Sequence, residues 1–180
     1  MSDSAKAAPV PAATVLIVRD GANGLEVFMV KRHHQIDFVA GALVFPGGKA
    51  NKGDYDAGLS AFSDGAEGRR PAMRALGAAA LREAFEESGI LFAREAGCPV
   101  FITSDRLAGL EHYRHPLEKG EIGLIDMLRK ERLNIAFDTL AHFAHWITPD
   151  NMPKRFDTHF FVAAAPSGHA GSHDGRESVD

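Results

Sequence analysis

The sequence of 180 residues has little of several features that assign proteins to broad classes. It contains one cysteine, Cys98, which excludes an intrachain disulfide bond and a thiolate zinc cluster and favours a reducing, cytoplasmic location. Its net charge of −4 gives no general positive field for binding duplex nucleic acid. No run of about 18 apolar residues is present, so the sequence predicts no membrane partner.

The composition allows one substantial hydrophobic core, because 45% of the residues are hydrophobic. We therefore expect a single domain over residues 14–180. Residues 1–13 are rich in Ala, Pro and Ser and lack the basic start and apolar centre of a signal peptide, which predicts a disordered tail. Residues 55–70 are rich in Gly, Asp and Ser without periodicity, which predicts an inserted loop.

Hydrophobic periodicity predicts both strands and helices. The predicted strands cover residues 14–18, 25–30, 42–45, 140–148 and 156–165, and the predicted helices cover 122–133 and a segment that begins at Pro71 and ends before Gly89. This order of elements indicates an α/β (α+β) sandwich.

Three carboxylates share one face of the helix that begins at Pro71. At about 100° per residue, Glu83, Glu86 and Glu87 lie within an arc of roughly 100°, opposite an apolar face. A solvated surface is the ordinary explanation of such a face. However, the like-charged neighbours each cost about 0.2–0.5 kcal/mol, and the end of a helix disfavours negative charge. A bound cation would remove both costs, and oxygen ligands suit Mg²⁺ or Mn²⁺.

Two segments resemble the halves of one known motif. Residues 82–90 read Arg-Glu-Ala-Phe-Glu-Glu-Ser-Gly-Ile, and residues 45–48 read Phe-Pro-Gly-Gly, followed by Gly53-Asp54. They resemble the Nudix box of the Nudix hydrolase family. Asp54 stands where the family has glutamate, and 27 residues separate it from Arg82, far more than the family pattern allows. This interruption resembles the branch that contains peroxisomal coenzyme A diphosphatases.

The resemblance implies a Nudix-type α/β/α sandwich with a mixed central sheet. It also implies hydrolysis of the diphosphate linkage in a nucleoside diphosphate derivative, with Mg²⁺ or Mn²⁺ as cofactor. On this basis Glu83, Glu86, Glu87 and the Gly48 carbonyl are expected to bind the metal, and Arg82 to orient a glutamate.

The family also suggests further site residues outside the helix. Gly47 and Gly48 would let the backbone approach metal and phosphate closely. Arg32 and Arg155 are candidates for binding phosphate, although a surface arginine explains each position equally well. Glu177 is the candidate general base or additional metal ligand, with Glu121 as the other late acid to test.

The histidines give no clear metal motif. His142 and His145 are three residues apart on a predicted strand, which places them on opposite faces and argues against a shared metal. His169, His173 and Asp174 lie in a polar segment that we interpret as a flexible loop rather than a chelating site.

Several alternatives remain open from the sequence. A non-catalytic Nudix module could bind a nucleotide sugar or ADP-ribose as a signal, but the retained glutamates argue against it. A purely structural adaptor leaves the acidic face unexplained. Coenzyme A or acyl-coenzyme A is the favoured substrate, with nucleotide sugars and a capped RNA end still open. Because the family's last strand and helix are expected to be missing after residue 180, we also expect an exposed apolar face and a homodimer.

Overall fold

A computed structural model describes residues 7–32, 42–169, 171, 178 and 179. The strands in these ranges are β1 (Val10–Gly21), β2 (Gly24–Phe28), β3 (Val30–Arg32), β4 (Leu43–Val44), β5 (Gly47–Lys49), β6 (Ser63–Asp64), β7 (Ala93–Glu95), β8 (Leu133–Ala136), β9 (Ala141–Ile147), β10 (Phe156–Ala164) and β11 (Ser178–Val179). The α-helices are α1 (Pro71–Ser88), α2 (Ser104–Ala108), α3 (Arg114–Glu118) and α4 (Leu124–Glu131). The described residues thus combine strands and α-helices, which confirms the predicted α/β (α+β) class.

The main sheet is built around β1. Its strand order is β2-β1-β10-β9, and β5 also pairs with β1. β1 is parallel to β10 and antiparallel to both β2 and β5, so the sheet is mixed. Ala13, Val15 and Ile17 are fully buried on one face of β1, and α1 packs against this strand. Two small sheets, β11-β3-β4 and β6-β8-β7, complete the architecture of the described residues.

The N-terminal end of β1 corrects the predicted length of the disordered tail. The strand begins at Val10 rather than Thr14, because Ala12 pairs with Lys49 and residues 10–13 pair with β10. The two flanking strands therefore provide the hydrogen-bond partners for this segment. Residues 1–6 lie outside the described residues, so the prediction of a tail is untested there.

The predicted loop at residues 55–70 has more structure than its composition suggested. Short 3-10 helices cover Lys52–Tyr55 and Ala57–Phe62, and β6 follows at once. The side chain of Asp56 accepts a hydrogen bond from the Gly58 amide at the start of the second helix, and Leu59 is buried in the core. The insertion is therefore anchored by a local cap and an apolar side chain.

Helix α1 begins at Pro71 and ends before Gly89, as predicted. Proline is suited to the first helical position, and Gly89 adopts a left-handed φ of 69° with its amide bonded to the Phe85 carbonyl at 2.9 Å. A Cβ on Gly77 would lie 2.3 Å from the Phe137 ring. The small residues of α1 therefore allow neighbouring elements to approach closely, and the helix is buried over most of its length.

The other predicted elements are close to those observed. The helix predicted at 122–133 is shorter, because Arg132 adopts a left-handed φ of 56° and β8 starts at Leu133. The strands predicted at 140–148 and 156–165 correspond to β9 and β10. In the described part of the chain, none of the helices has the length and hydrophobicity needed to span a bilayer.

Candidate active site

The glycine pair of β5 lies against the acidic face of α1. A Cβ on Gly48 would be 2.4 Å from Glu83 Oε1, so only glycine allows the Glu83 carboxylate to occupy this position. The Gly47 amide donates a hydrogen bond of 2.9 Å to Glu87 Oε2. The structure therefore brings the glycine pair and the helix glutamates together, as the sequence predicted.

Arg82 connects the two halves of the split motif. Its Nε and Nη2 donate to Asp54 Oδ1 and Oδ2, both at 3.0 Å. Its Nη1 donates to Glu83 Oε1 and Glu86 Oε2, both at 2.8 Å, and Nη2 also donates to the Lys49 carbonyl at 3.0 Å. The guanidinium is thus fixed on several sides, and it holds two of the predicted metal ligands in place.

Asp54 occupies its position through local backbone contacts as well as through Arg82. Its carboxylate accepts from the Asn51 amide at 2.8 Å, while its own amide donates to the Asn51 side chain at 3.1 Å. This reciprocal cap opens the 3-10 helix at Lys52–Tyr55. Because the insertion follows Asp54, the long separation in sequence does not separate Asp54 from Arg82 in space.

Several carboxylates in this cluster share one cation. One guanidinium, Arg82, faces three carboxylates, those of Asp54, Glu83 and Glu86. Burial alone would lower the pKa of Arg82, but the hydrogen bond with Asp54 and the charges of Glu83, Asp54 and Glu86 outweigh it, and the pKa is raised. Arg82 therefore stays charged.

The charge of Arg82 does not fully offset the cost of burying the Glu86 carboxylate. Burial and the charge of Glu83 together raise the pKa of Glu86 to about 8, against the opposing charge of Arg82. Within the described residues, Glu86 Oε1 is buried and has no hydrogen-bond partner. A buried carboxylate oxygen without a donor is costly, so the position fits a cation or a proton. The all-oxygen donor set matches the preference of Mg²⁺ or Mn²⁺.

Arg114 supports the end of α1, although no sequence motif pointed to this residue. Its Nε and Nη2 donate to the Glu86 backbone carbonyl at 3.2 and 3.1 Å, and its Nη1 donates to Glu111 at 3.1 Å. A cation at the C-terminal end of a helix offsets the helix dipole. Arg114 therefore reduces the electrostatic cost that the glutamates impose there.

The structure does not bring Arg155 to the glutamates. Its guanidinium donates to the Thr148 and Ala7 carbonyls and pairs with Asp150, which holds the turn between β9 and β10. These contacts give Arg155 a structural role, and its role in substrate binding stays a prediction.

The structure does not place three other predicted residues at the site. Glu121 is exposed in the turn before α4. Glu177 and the side chain of Arg32 lie outside the described residues, so their roles also stay predictions.

The expected placement of two histidines on opposite faces of a strand is wrong. Phe143 has no partner on β10, because the pairing shifts between Phe160 and Phe161 and forms a β-bulge. His145 is opposite His159 and His142 is opposite Phe161, so both point to the same face. Phe143 is the extra residue in the bulge, so His142 and His145 face the same side of the sheet instead of opposite sides.

The C-terminal polar segment is described only in part. His169 is buried, and its Nε2 contacts the Ile102 carbonyl at 2.9 Å, which is a packed position rather than a flexible loop. His173 and Asp174 lie outside the described residues.

A cavity of about 330 Å³ adjoins the end of α1. Its lining includes Ile17, Val27, Phe28 and Ile90. Ile90 follows Glu87 by three residues, after the C-terminal cap of α1 at Gly89. The size of the cavity is at the lower end of the range for small-molecule sites.

Comparisons with known proteins identify the family. No family model matches the sequence. The chain is 25% identical to acyl-coenzyme A diphosphatase NUDT19 of Xenopus laevis in an alignment of 191 positions that covers 84% of the chain and 50% of that protein. It is 30% identical to putative nudix hydrolase 7 of Caenorhabditis elegans over 138 residues, covering 76% of the chain and 38% of that protein. The chain thus spans half or less of the length of these curated relatives.

A solved structure extends the similarity to the fold. The crystal structure of a NUDIX hydrolase from Alicyclobacillus acidocaldarius is 30% identical, with a TM-score of 0.76. The match covers 96% of this chain and 77% of that one. With the split motif assembled around Arg82, these similarities show that the chain belongs to the Nudix hydrolase family.

Proposed function

We propose that this chain is a divalent-metal-dependent hydrolase that cleaves the diphosphate linkage of a nucleoside diphosphate derivative. The observation that carries the proposal is the buried cluster in which three carboxylates share Arg82 and Glu86 Oε1 has no donor among the described residues. Membership of the Nudix hydrolase family supports the same chemistry.

The residues that would hold Mg²⁺ or Mn²⁺ are Glu83, Glu86, Glu87 and the Gly48 carbonyl. When bound, such a metal neutralises phosphate oxygens and lowers the pKa of a coordinated water. The chain's own contribution is preorganisation. Arg82 fixes Glu83 and Glu86, while the Gly47 amide fixes Glu87, so the carboxylates need little rearrangement to bind a cation.

For the substrate, we propose coenzyme A or an acyl derivative. The split motif and the printed name of one relative, an acyl-coenzyme A diphosphatase, support this choice. We assign the cavity lined by Val27, Phe28 and Ile90 to the part of the substrate attached to the diphosphate, because these side chains give it a mainly apolar lining.

A panel of substrates tests the proposal. Coenzyme A, an acyl-coenzyme A, ADP-ribose, a nucleotide sugar and capped RNA are incubated with Mg²⁺ or Mn²⁺, and products are identified by phosphorus NMR. We expect cleavage of the diphosphate, strongest for coenzyme A or its acyl form, and its loss with a chelator. Binding of these compounds without cleavage of any would instead support the non-catalytic signalling module.

We also propose that the chain forms a homodimer. The edge strand β9 has two exposed aromatic side chains, Phe143 at 68% and Trp146 at 71% exposure, and a second copy could cover them. Light scattering is expected to give the mass of a dimer. A monomer at high concentration contradicts this.

A further inference from the structure

A second group of metal-ligand side chains lies at the edge of the main sheet. It consists of His142 and His145 on β9 and Asp157 and His159 on β10, and we call it the histidine cluster. Asp157 and His159 lie on the same face because they are two residues apart on one strand. The bulge at Phe143 adds both histidines of β9 to that face.

The histidine cluster is separate from the glutamates of α1. Ala13 of β1 pairs with Gly48 on one side and with His159 on the other. Two strand spacings place the Cα atoms of Gly48 and His159 on the order of 10 Å apart. The buried Ala13 therefore separates a set of oxygen ligands from a set made mainly of nitrogens.

Three ligand atoms converge in the histidine cluster. One ligand atom each from His145, Asp157 and His159 lies within 4.8 Å of the other two. His145 Nε2 contacts Asp157 Oδ1, and His159 Nε2 is 3.9 Å from the same oxygen. For metal–ligand bonds of about 2.0–2.2 Å in tetrahedral geometry, ligand atoms are roughly 3.3–3.6 Å apart. The His145 and His159 rings are stacked with centroids 4.0 Å apart, so a shift of about 1 Å together with a rotation of one ring would bring the three atoms onto one ion.

His142 is placed to orient His159. His142 Nε2 lies 3.0 Å from His159 Nδ1. If the Nδ1 atom carries the hydrogen, His142 accepts it and the lone pair of His159 Nε2 faces Asp157. Ligating histidines usually have such a partner on the second ring nitrogen, which fixes both tautomer and ring orientation.

The charges around His159 act in both directions on a bound cation. Arg70 opposes one, whereas the carboxylate of Asp157 favours it.

We propose that His145, Asp157 and His159 form a second site that binds a divalent transition metal such as Zn²⁺, with His142 as a positioning residue. Imidazole and carboxylate are ligands that this class of ion accepts. The ion would link the edge strand β9 to β10 next to the bulge, where the regular pairing is interrupted. An ion pair between His145 and Asp157 alone would leave the packing of His159 between His145 and His142 unexplained.

The test is a titration of the metal-free protein with Zn²⁺ by calorimetry in millimolar Mg²⁺, with Co²⁺ absorption as a second readout of nitrogen ligation. We expect one equivalent of Zn²⁺ to bind, and His145→Asn or His159→Asn to abolish this binding. His142→Phe should weaken it by about 10–100-fold. Two controls, His112→Asn and Glu86→Gln, should bind Zn²⁺ as the unaltered chain does.

Unchanged Zn²⁺ binding in the double variant His145→Asn/His159→Asn would overturn the proposal, as would loss of this binding in Glu86→Gln alone. Circular dichroism establishes that each variant is folded. If the histidine variants do not fold, Asp157→Asn decides, because its side chain is nearly isosteric and loses only the charge. No nucleotide substrate is used, so the result does not depend on the proposed hydrolase activity.

Discussion

The glutamate cluster of α1 and the histidine cluster of β9 and β10 lie on either side of the same strand, but they differ in burial. Glu86 and Arg82 are 6% and 5% exposed, whereas His142 and His145 are exposed to solvent. Water can solvate His142 and His145 when no ion is bound, but it cannot do so for Glu86. We therefore expect charge compensation to be needed for folding in the first cluster and mainly for metal binding in the second.

The largest expected effect on stability is that of Arg82→Ala. This variant leaves Asp54, Glu83 and Glu86 without their shared cation, and breaking a buried ion pair costs about 3–5 kcal/mol of unfolding free energy. Urea denaturation of the metal-free protein measures this loss. The matched control is Arg129→Ala, whose pair with Asp126 is exposed, and we expect it to change stability by less than about 1 kcal/mol. Equal effects of the two variants would contradict the comparison.

The pH dependence of stability separates the two clusters by its sign. Glu86 has a folded-state pKa raised from 4.5 to about 8, so between these values the folded state binds the proton more tightly than the unfolded state. Its contribution to the free energy of unfolding is therefore present below pH 4.5 and is lost as the pH rises to about 8. In the metal-free protein we expect a loss of a few kcal/mol over this range.

His159 is expected to act in the opposite direction. Its pKa is lowered from 6.5 by burial first, so the folded state becomes less stable as the pH falls below 6.5. Both effects are measured by thermal unfolding of the unaltered chain and of Glu86→Gln from about pH 5 to about pH 8. Glu86→Gln should remove the loss at high pH and keep the loss at low pH. A high-pH loss that persists in Glu86→Gln would contradict the assignment to this residue.

The glycine pair of β5 distinguishes stability from activity. In Gly47→Ala the new Cβ would lie 2.5 Å from the Ala13 backbone carbonyl, which cannot move easily, and we expect a loss of about 1–3 kcal/mol. In Gly48→Ala the Cβ meets only the end of the Glu83 side chain, which can rotate away. We therefore expect Gly48→Ala to lower turnover at least about tenfold, or about 1.4 kcal/mol in the barrier, with little change in unfolding free energy. If Gly48→Ala instead lowered the free energy of unfolding and left turnover unchanged, Glu83 would not be a ligand.

The smallest expected effect is that of His145→Asn in the metal-free protein. Its side chain is exposed and its ion pair with Asp157 is near the surface, so the unfolding free energy should change by about 0.5 kcal/mol or less. Urea denaturation measures it. A loss as large as that of Arg82→Ala would mean that the histidine cluster is also needed for folding.

The glutamate cluster could be predicted because its determinants are local. Pro71 and Gly89 mark the ends of one helix, and residues three and four apart on a helix share a face. The 3-10 helices of the insertion also had a local signal, since Asn51 and Asp56 are cap residues. The loop prediction rested on composition and the lack of periodicity, and it did not use those signals.

Other parts of the site depend on contacts that no local pattern contains. Arg114 reaches the Glu86 carbonyl from 28 residues away, through the packing of α3 against α1. The histidine cluster depends on a single unpaired residue, Phe143, which reverses the strand alternation. Sequence spacing alone assumes regular strands, and it therefore placed His142 and His145 on opposite faces.

The central claim is that the glutamates of α1 hold the metal that the hydrolysis requires. The most direct test is Mg²⁺-dependent turnover of Glu86→Gln and Glu87→Gln, measured on the best substrate of the panel, with exposed Glu67→Gln as the control. We expect each of the first two variants to lose activity by orders of magnitude while remaining folded, and the control to retain it. Unchanged turnover in Glu86→Gln or Glu87→Gln would contradict the account.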